Sequence, residues 1–232
     1  MSIFDVSEDV KQEEERDVIG GMVFDTDMYE TKIKMAYLDQ SKGGAHCLNL
    51  VCAIGDAFYN ETIYFTNRKG ENFYKDKKTG DKRMMPGFNQ INNMCLLLAG
   101  KKFGAMAMEE KQIKIYDFDE KKEVTKPRKV LSDLTGMIAY PALQKITENK
   151  QVKGADDKYV NCPKGTTRDR NEITKWFDSE KRTLPEKKAD KDAKFFNDWL
   201  KANKGKTKDK VEKVIGAPIA GEETTEDLFG ED

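Results

Sequence analysis

Apolar and polar positions alternate along residues 29–37, with Tyr29, Thr31, Ile33, Met35 and Tyr37 on one side and Glu30, Lys32 and Lys34 on the other. A period of two with one polar side predicts a half-buried strand. "SKGG" (41–44) is a turn, and "AHCLNLVCAIG" predicts a second strand with Leu48, Leu50, Cys52 and Ile54 on one side. A third, "ETIYFTN", points Ile63 and Phe65 one way and Thr62, Tyr64 and Thr66 the other. Residues 68–87 read as a long basic connection, with turn signals at Lys69-Gly70 and Thr79-Gly80. The period then changes. Phe88, Ile91, Met94, Cys95 and Leu98 recur at helical spacing, and Gly100 with Lys101 and Lys102 marks the stop.

Further strands are predicted at "KQIKIYDFD", "LTGMIAYPALQKI" and "KYVNC". A second helix covers "DAKFFNDWLKANKG", with Phe195, Trp199 and Phe196 facing inward and Gly205 as its end. Three strands, a helix and then more strands is the order of a five-stranded, partly open Greek-key barrel, the OB-fold. The expected class is therefore mainly β with a few helices. Other small barrels and an α+β sandwich fit the same string.

Charge divides the chain. The 232 residues hold 41 bases and 42 acids, but residues 5–17 and 221–232 contain 13 of the acids and two of the bases. What remains carries 39 bases against 29 acids, so a basic body lies between acidic ends. We expect a flexible acidic arm over 1–17, a folded nucleic-acid-binding domain over 18–205, and a basic linker with a disordered acidic tail over 206–232. The ends have too little apolar content for a core. A basic body attracts polyanions, nucleic acid foremost.

Catalytic and metal chemistry find little to stand on. The single histidine, His46, neighbours Cys47, but adjacent strand residues point to opposite faces. Cys47, Cys52, Cys95 and Cys162 show no CxxC spacing, which leaves buried reduced thiols rather than zinc ligands. No phosphate-binding glycine loop is present. Asp117 and Asp119 stand two apart and could start a metal site, without a third ligand in view. No enzyme activity and no cofactor are expected. No long apolar run suggests a membrane segment, and reduced thiols fit a cytoplasm.

Nucleic-acid binding has better material. "YFTNRKGENFYKDKKTGDKR" (64–83) holds seven bases and three acids among four rings. Tyr64, Phe73 and Tyr74 are candidates to stack on unpaired bases, while Phe65 shares the core side with Ile63. Arg68, Lys69, Lys75, Lys77, Lys78, Lys82 and Arg83 are candidates to neutralise phosphates, helped by Lys32, Lys34 and Lys42. Cations along the backbone and rings under the bases are the two forces that hold single strands. "PKGTTRDRNEITKW" adds Lys164, Arg168 and Arg170, and Trp176, which fits a core position or a base-stacking one.

"TNRKGENFYKDKKTG", "PGFNQINNMCLLL", "DWLKANKGKTKDK" and the acidic "EDLFGED" end together resemble the bacteriophage single-stranded DNA-binding proteins. The resemblance implies sequence-independent binding in phage DNA replication, recombination and repair, in the cytoplasm of the bacterial host. It also implies a tail that contacts replication proteins such as polymerase or helicase and competes with DNA, here through Glu226, Asp227, Leu228 and Phe229. In the family's pattern the ring ends the chain, whereas Gly230, Glu231 and Asp232 follow it here. Two rivals share the sequence features: a replisome or recombination adaptor that ignores DNA, and a metal-dependent nuclease built on Asp117 and Asp119.

Overall fold

The computed structural model describes residues 22–117, 120–154, 159–162 and 165–213. In chain order the strands are β1 (Asp27–Met28), β2 (Thr31–Gln40), β3 (His46–Ile54), β4 (Ala57–Tyr64), β5 (Phe73–Lys75) and β6 (Lys82–Met84). After helix α1 (Pro86–Ala99) come β7 (Met108–Asp117), β8 (Lys122–Leu131), β9 (Ile138–Asn149), β10 (Gln151–Lys153), β11 (Tyr159–Asn161) and β12 (Thr167–Phe177). Helices α2 (Leu184–Lys188) and α3 (Lys194–Asn203) and strand β13 (Lys208–Asp209) complete it. The protein is mainly β, built on an open antiparallel sheet in the order β4–β3–β2–β9–β12.

β9 is the spine. One edge pairs with β12 from Tyr140 to Asn149; the other takes β2, β1 and β13 in turn along its length. β3 keeps the predicted side inward: Leu48, Leu50 and Cys52 are buried. β2 does not hold its alternation. A bulge between Ile33 and Met35 shifts the register, so Ala36 is buried while Met35 and Tyr37 turn outward, correcting the expected facing. Two of the long strands are not marked by the alternation, nor are the short β1, β5, β6, β10 and β13. β8 pairs with β7 over its whole length, and β12 runs through the stretch taken as a basic patch.

α1 forms as predicted, with Gly100 closing it in the left-handed conformation (φ 67°) that other residues adopt only at a cost. Ile91, Met94, Cys95 and Leu97 drive into a core shared with Ile33, Leu48, Leu50, Leu131, Leu134 and Leu143. Burying each such side chain contributes about 1.5–3 kcal/mol. α3 packs Phe196 and Trp199 on Phe177 and Ala142. Phe195, expected inside, is 38% exposed with the Lys175 ammonium 5.3 Å from its ring, because Phe196 takes the inward position of the helix turn.

Residues 206–213 are held on the body. The Thr26 hydroxyl donates to the Lys206 carbonyl (2.6 Å), and the Gln144 amide donates to both Thr26 Oγ1 (3.0 Å) and the Lys206 carbonyl (2.8 Å). β13 then pairs with β9, and Glu212 exchanges hydrogen bonds with the Asn149 side chain.

The end strands β4 and β12 face each other across a seam without a direct ladder between them. Side chains bridge it. The Glu61 carboxylate accepts from the Tyr59 hydroxyl and from the Ile173 N–H, and the Gln90 amide donates to the Ile173 carbonyl at 3.0 Å. α1 abuts β4 at Gly87, where a Cβ would lie 1.9 Å from the Tyr64 carbonyl oxygen. Only a glycine fits there.

Candidate nucleic-acid interface

The side of β2–β3–β4 that faces away from the core is built of cross-strand rows. Lys32 pairs with Ala53 and Ala53 with Phe58; Tyr37 pairs with Asn49 and Asn49 with Thr62; Asp39 pairs with Cys47 and Cys47 with Tyr64. Directly opposed residues share a face, so Lys32, Phe58, Tyr37 and Tyr64 occupy one surface. Phe58 is 61% exposed and Tyr64 49%, large for rings of a folded body. The β7–β8 hairpin prolongs this surface: Val130 pairs with Tyr37, and the Arg128 guanidinium reaches Asp39 at 3.1 Å.

Cys47 sits in the floor of this face beneath Tyr64, and burial pushes its thiol up to about 11. Burial likewise raises the Tyr37 and Tyr64 hydroxyls, with the Asp39 charge adding to the effect, so both phenols are neutral at physiological pH. A neutral ring with one open face suits stacking. A phenolate would repel phosphate.

A second group of candidates leaves the end of β4. Arg68 lies against the β2–β3 turn, its Nε 3.4 Å from where a Gly43 Cβ would stand, which brings it beside Lys42. Residues 68–87, expected as an open connection, contain the β5–β6 hairpin instead. Asp76 organises its turn by accepting the Lys78 N–H at 2.8 Å, and Gly80 supplies the positive φ (76°). Phe73 is half-buried with the Lys82 ammonium 4.6 Å from its ring, and Tyr74 is 43% exposed opposite Arg83. Arg83 is held by Asp76 at 2.9 Å, which discounts its charge. Lys69, Lys75, Lys77 and Lys78 are exposed.

The structure therefore gathers Lys32, Tyr64, Lys42 and Arg68 around one sheet face and its adjoining turn; Lys34, at the bulge, is exposed nearby. It puts Phe73, Tyr74, Lys75, Lys77, Lys78, Lys82 and Arg83 on a separate two-stranded hairpin. Trp176 is not available for stacking: 5% exposed, it belongs to the core, because a bulge between Ile173 and Lys175 turns it inward. Arg168 and Arg170 both grip Glu148, at 2.8 and 3.0 Å. Lys164, Asp119 and the tail residues Glu226, Asp227, Leu228 and Phe229 lie outside the described residues.

Other chemistry is also placed. Asp117 pairs with the Lys126 ammonium at 2.5 Å, and among the described residues no three His, Cys, Asp or Glu side chains gather as metal ligands. His46 stacks on Phe65, with ring centres 6.2 Å apart. Burial pushes the Cys52 and Cys95 thiols up to about 12. Among the described residues no helix is long and apolar enough to cross a membrane.

Sequence reasoning missed Tyr37, Phe58 and Arg128. Phe58 was legible, since it alternates with Tyr59 across the start of β4. Alternation alone puts Tyr37 on the core side, because a bulge leaves no mark in the residue pattern. Arg128 lay in an unrecognised strand. Compared with known proteins, the chain matches no family model, no curated protein and no solved structure.

Proposed function

We propose that the protein binds single-stranded DNA without sequence preference across the outer face of β2–β3–β4. Its fold in this reading is an OB-type barrel left open at the β4–β12 seam. The observation that carries the proposal is the occurrence of exposed rings and cations on one sheet face: Phe58 shares the cross-strand row of Lys32 at one end, and Tyr64 lies at the other end, toward the turn where Lys42 and Arg68 stand. Rings under bases contribute about 1–3 kcal/mol each and tolerate any base, while cations track the phosphates. The β5–β6 hairpin supplies further cations and Tyr74 to a strand leaving that face. No basic helix shaped for a duplex groove is among the described elements.

In this reading the protein coats unwound strands during phage replication, recombination and repair in the bacterial cytoplasm, and the acidic tail contends with DNA for the cationic face. The resemblance of the sequence to phage single-strand binders and the charge division along the chain support both points.

The test is fluorescence titration of labelled oligo(dT) at several salt concentrations, with unlabelled duplex as competitor. Affinity should fall with salt at a slope of about −0.7 per phosphate contact. Salt-independent binding, or equal competition by duplex, refutes the proposal.

A further inference from the structure

β7 is the outer strand of its hairpin. Among the described residues its ladder runs to β8 alone, and the buried Ile113 anchors it on the body. Two hydrogen bonds fix which way its backbone faces. The Ala107 carbonyl accepts the Ser132 N–H at 3.2 Å, so residue 107 turns toward β8. The Pro127 carbonyl instead accepts from the Arg128 guanidinium at 3.0 Å, and proline has no N–H, so Pro127 and its cross-strand partner Gln112 turn away from each other. Both groups of an antiparallel residue face the same edge, and the facing alternates along the strand. From either end the result is the same: Glu110, Gln112 and Lys114 present their N–H and C=O groups to the outer edge of β7. None of these groups has a hydrogen-bond partner among the described residues.

The side chains of the same three residues are exposed, and neither the Glu110 carboxylate nor the Lys114 ammonium is ion-paired among the described residues. Proteins guard a long open edge with charge, proline or a bulge. β7 has no proline and keeps an unbroken register from Met108 to Asp117. Its outward charges are of opposite sign and stand symmetrically about Gln112, so they repel most strands but not a copy of themselves. A two-fold axis through Gln112 sets Glu110 opposite Lys114 of a second copy and Lys114 opposite its Glu110. An axis through Lys111 would set that lysine against itself, and one through Ile113 would set Glu109 against Asp117.

We infer that two copies of this chain join through β7, antiparallel and centred on Gln112, so that the sheet runs on from one protomer into the other. Residues 110, 112 and 114 then form about six backbone hydrogen bonds with the copy. Glu110 and Lys114 form two ion pairs across the contact, and Met108 meets Tyr116 of the copy, both exposed in the single chain.

Sedimentation velocity on the full-length protein, without DNA and up to about 100 μM, should show a dimer. Glu110→Lys sets lysine against lysine in both pairs, and Lys114→Glu sets glutamate against glutamate. Each should weaken the dimer by about tenfold or more. An equimolar mixture of the two variants should dimerise again, because every lysine then meets a glutamate; a loss of fold in either variant cannot produce that rescue. Amide hydrogen exchange should find the Gln112 N–H protected in the dimer and open in either variant alone. A parent that stays monomeric at every concentration, a dimer indifferent to both substitutions, or a mixture that stays monomeric overturns the inference. No DNA is present, so these outcomes stand apart from single-strand binding.

Discussion

Gly87→Ala tests the closeness of α1 to β4 directly. A Cβ at this position would lie 1.9 Å from the Tyr64 carbonyl oxygen, 2.9 Å from its carbon and 3.2 Å from Ile63 Cγ2. An ordinary contact begins near 3.4 Å, so the helix must back away by about 1.5 Å, and a carbonyl within a paired strand cannot rotate aside. Overpacking of this kind costs about 1–3 kcal/mol. Taking about 2 kcal/mol, the melting temperature of a chain this size should fall by about 4–8 °C. Gly104→Ala is the matched control, because nothing lies within 4 Å of its Cβ position and its φ is not positive. Losing a glycine's freedom in the unfolded chain should leave it equal to the parent or more stable by up to about 1 kcal/mol. Thermal unfolding followed by far-ultraviolet circular dichroism reads both. Should Gly87→Ala melt within about 1 °C of the parent, or Gly104→Ala fall as far, the described approach of α1 to β4 is wrong.

Tyr64→Ala should lower oligo(dT) affinity by about 1–3 kcal/mol while leaving the melting temperature nearly unchanged, since the ring is half-exposed; an equal loss for Trp176→Phe would contradict their different placement. Burial raises the Glu61 carboxyl above its ordinary value, so the folded state holds that proton more tightly than the unfolded one. Stability from this group is then full below the unfolded carboxyl pKa and declines as pH rises through the higher folded one. Glu61→Gln removes the decline, and its stability relative to the parent should increase from about pH 4 upward in urea titrations at stepped pH; a constant difference counts against a buried Glu61. Burial raises the thiols of Cys47, Cys52 and Cys95, and an aromatic disulfide reagent at neutral pH should leave all three unmodified until denaturant is added.

How far the residues declare the fold depends on how dry each element is. β3 and α1 are wet on one side only, so Leu48, Leu50, Cys52, Ile91 and Met94 mark them plainly. β8 resists because its hairpin with β7 is largely exposed on one side, leaving Val124, Lys126 and Arg128 half-buried on the other around Pro127. β12 resists for a different reason. Its charges are engaged along the strand, Arg168 and Arg170 with Glu148 and Lys210 with Glu172, so a structural ladder resembles a binding patch when only composition is visible. A bulge accounts for the one misfaced ring, since one extra residue in β2 sends Tyr37 outward, while an extra residue in β12 settles Trp176 inward, one of the two positions its residue type allows. Tyr64 needed no such correction, because β4 keeps an unbroken register with β3 from Ala57 to Tyr64.

The clasp of Thr26 on Lys206 has a topological consequence. Thr26, just before β1, and Lys206, just after α3, are stitched together at 2.6 Å, so the backbone between them is nearly a closed ring. A short tether from Lys206 back to Phe24 could close that ring, and a new opening at the hairpin turn near Gly80 would give a rearranged connectivity with the same strand order. Such a permutant gives up β13 but should keep the rest of the architecture, with its free ends relocated to the β5–β6 turn as a handle for attaching probes.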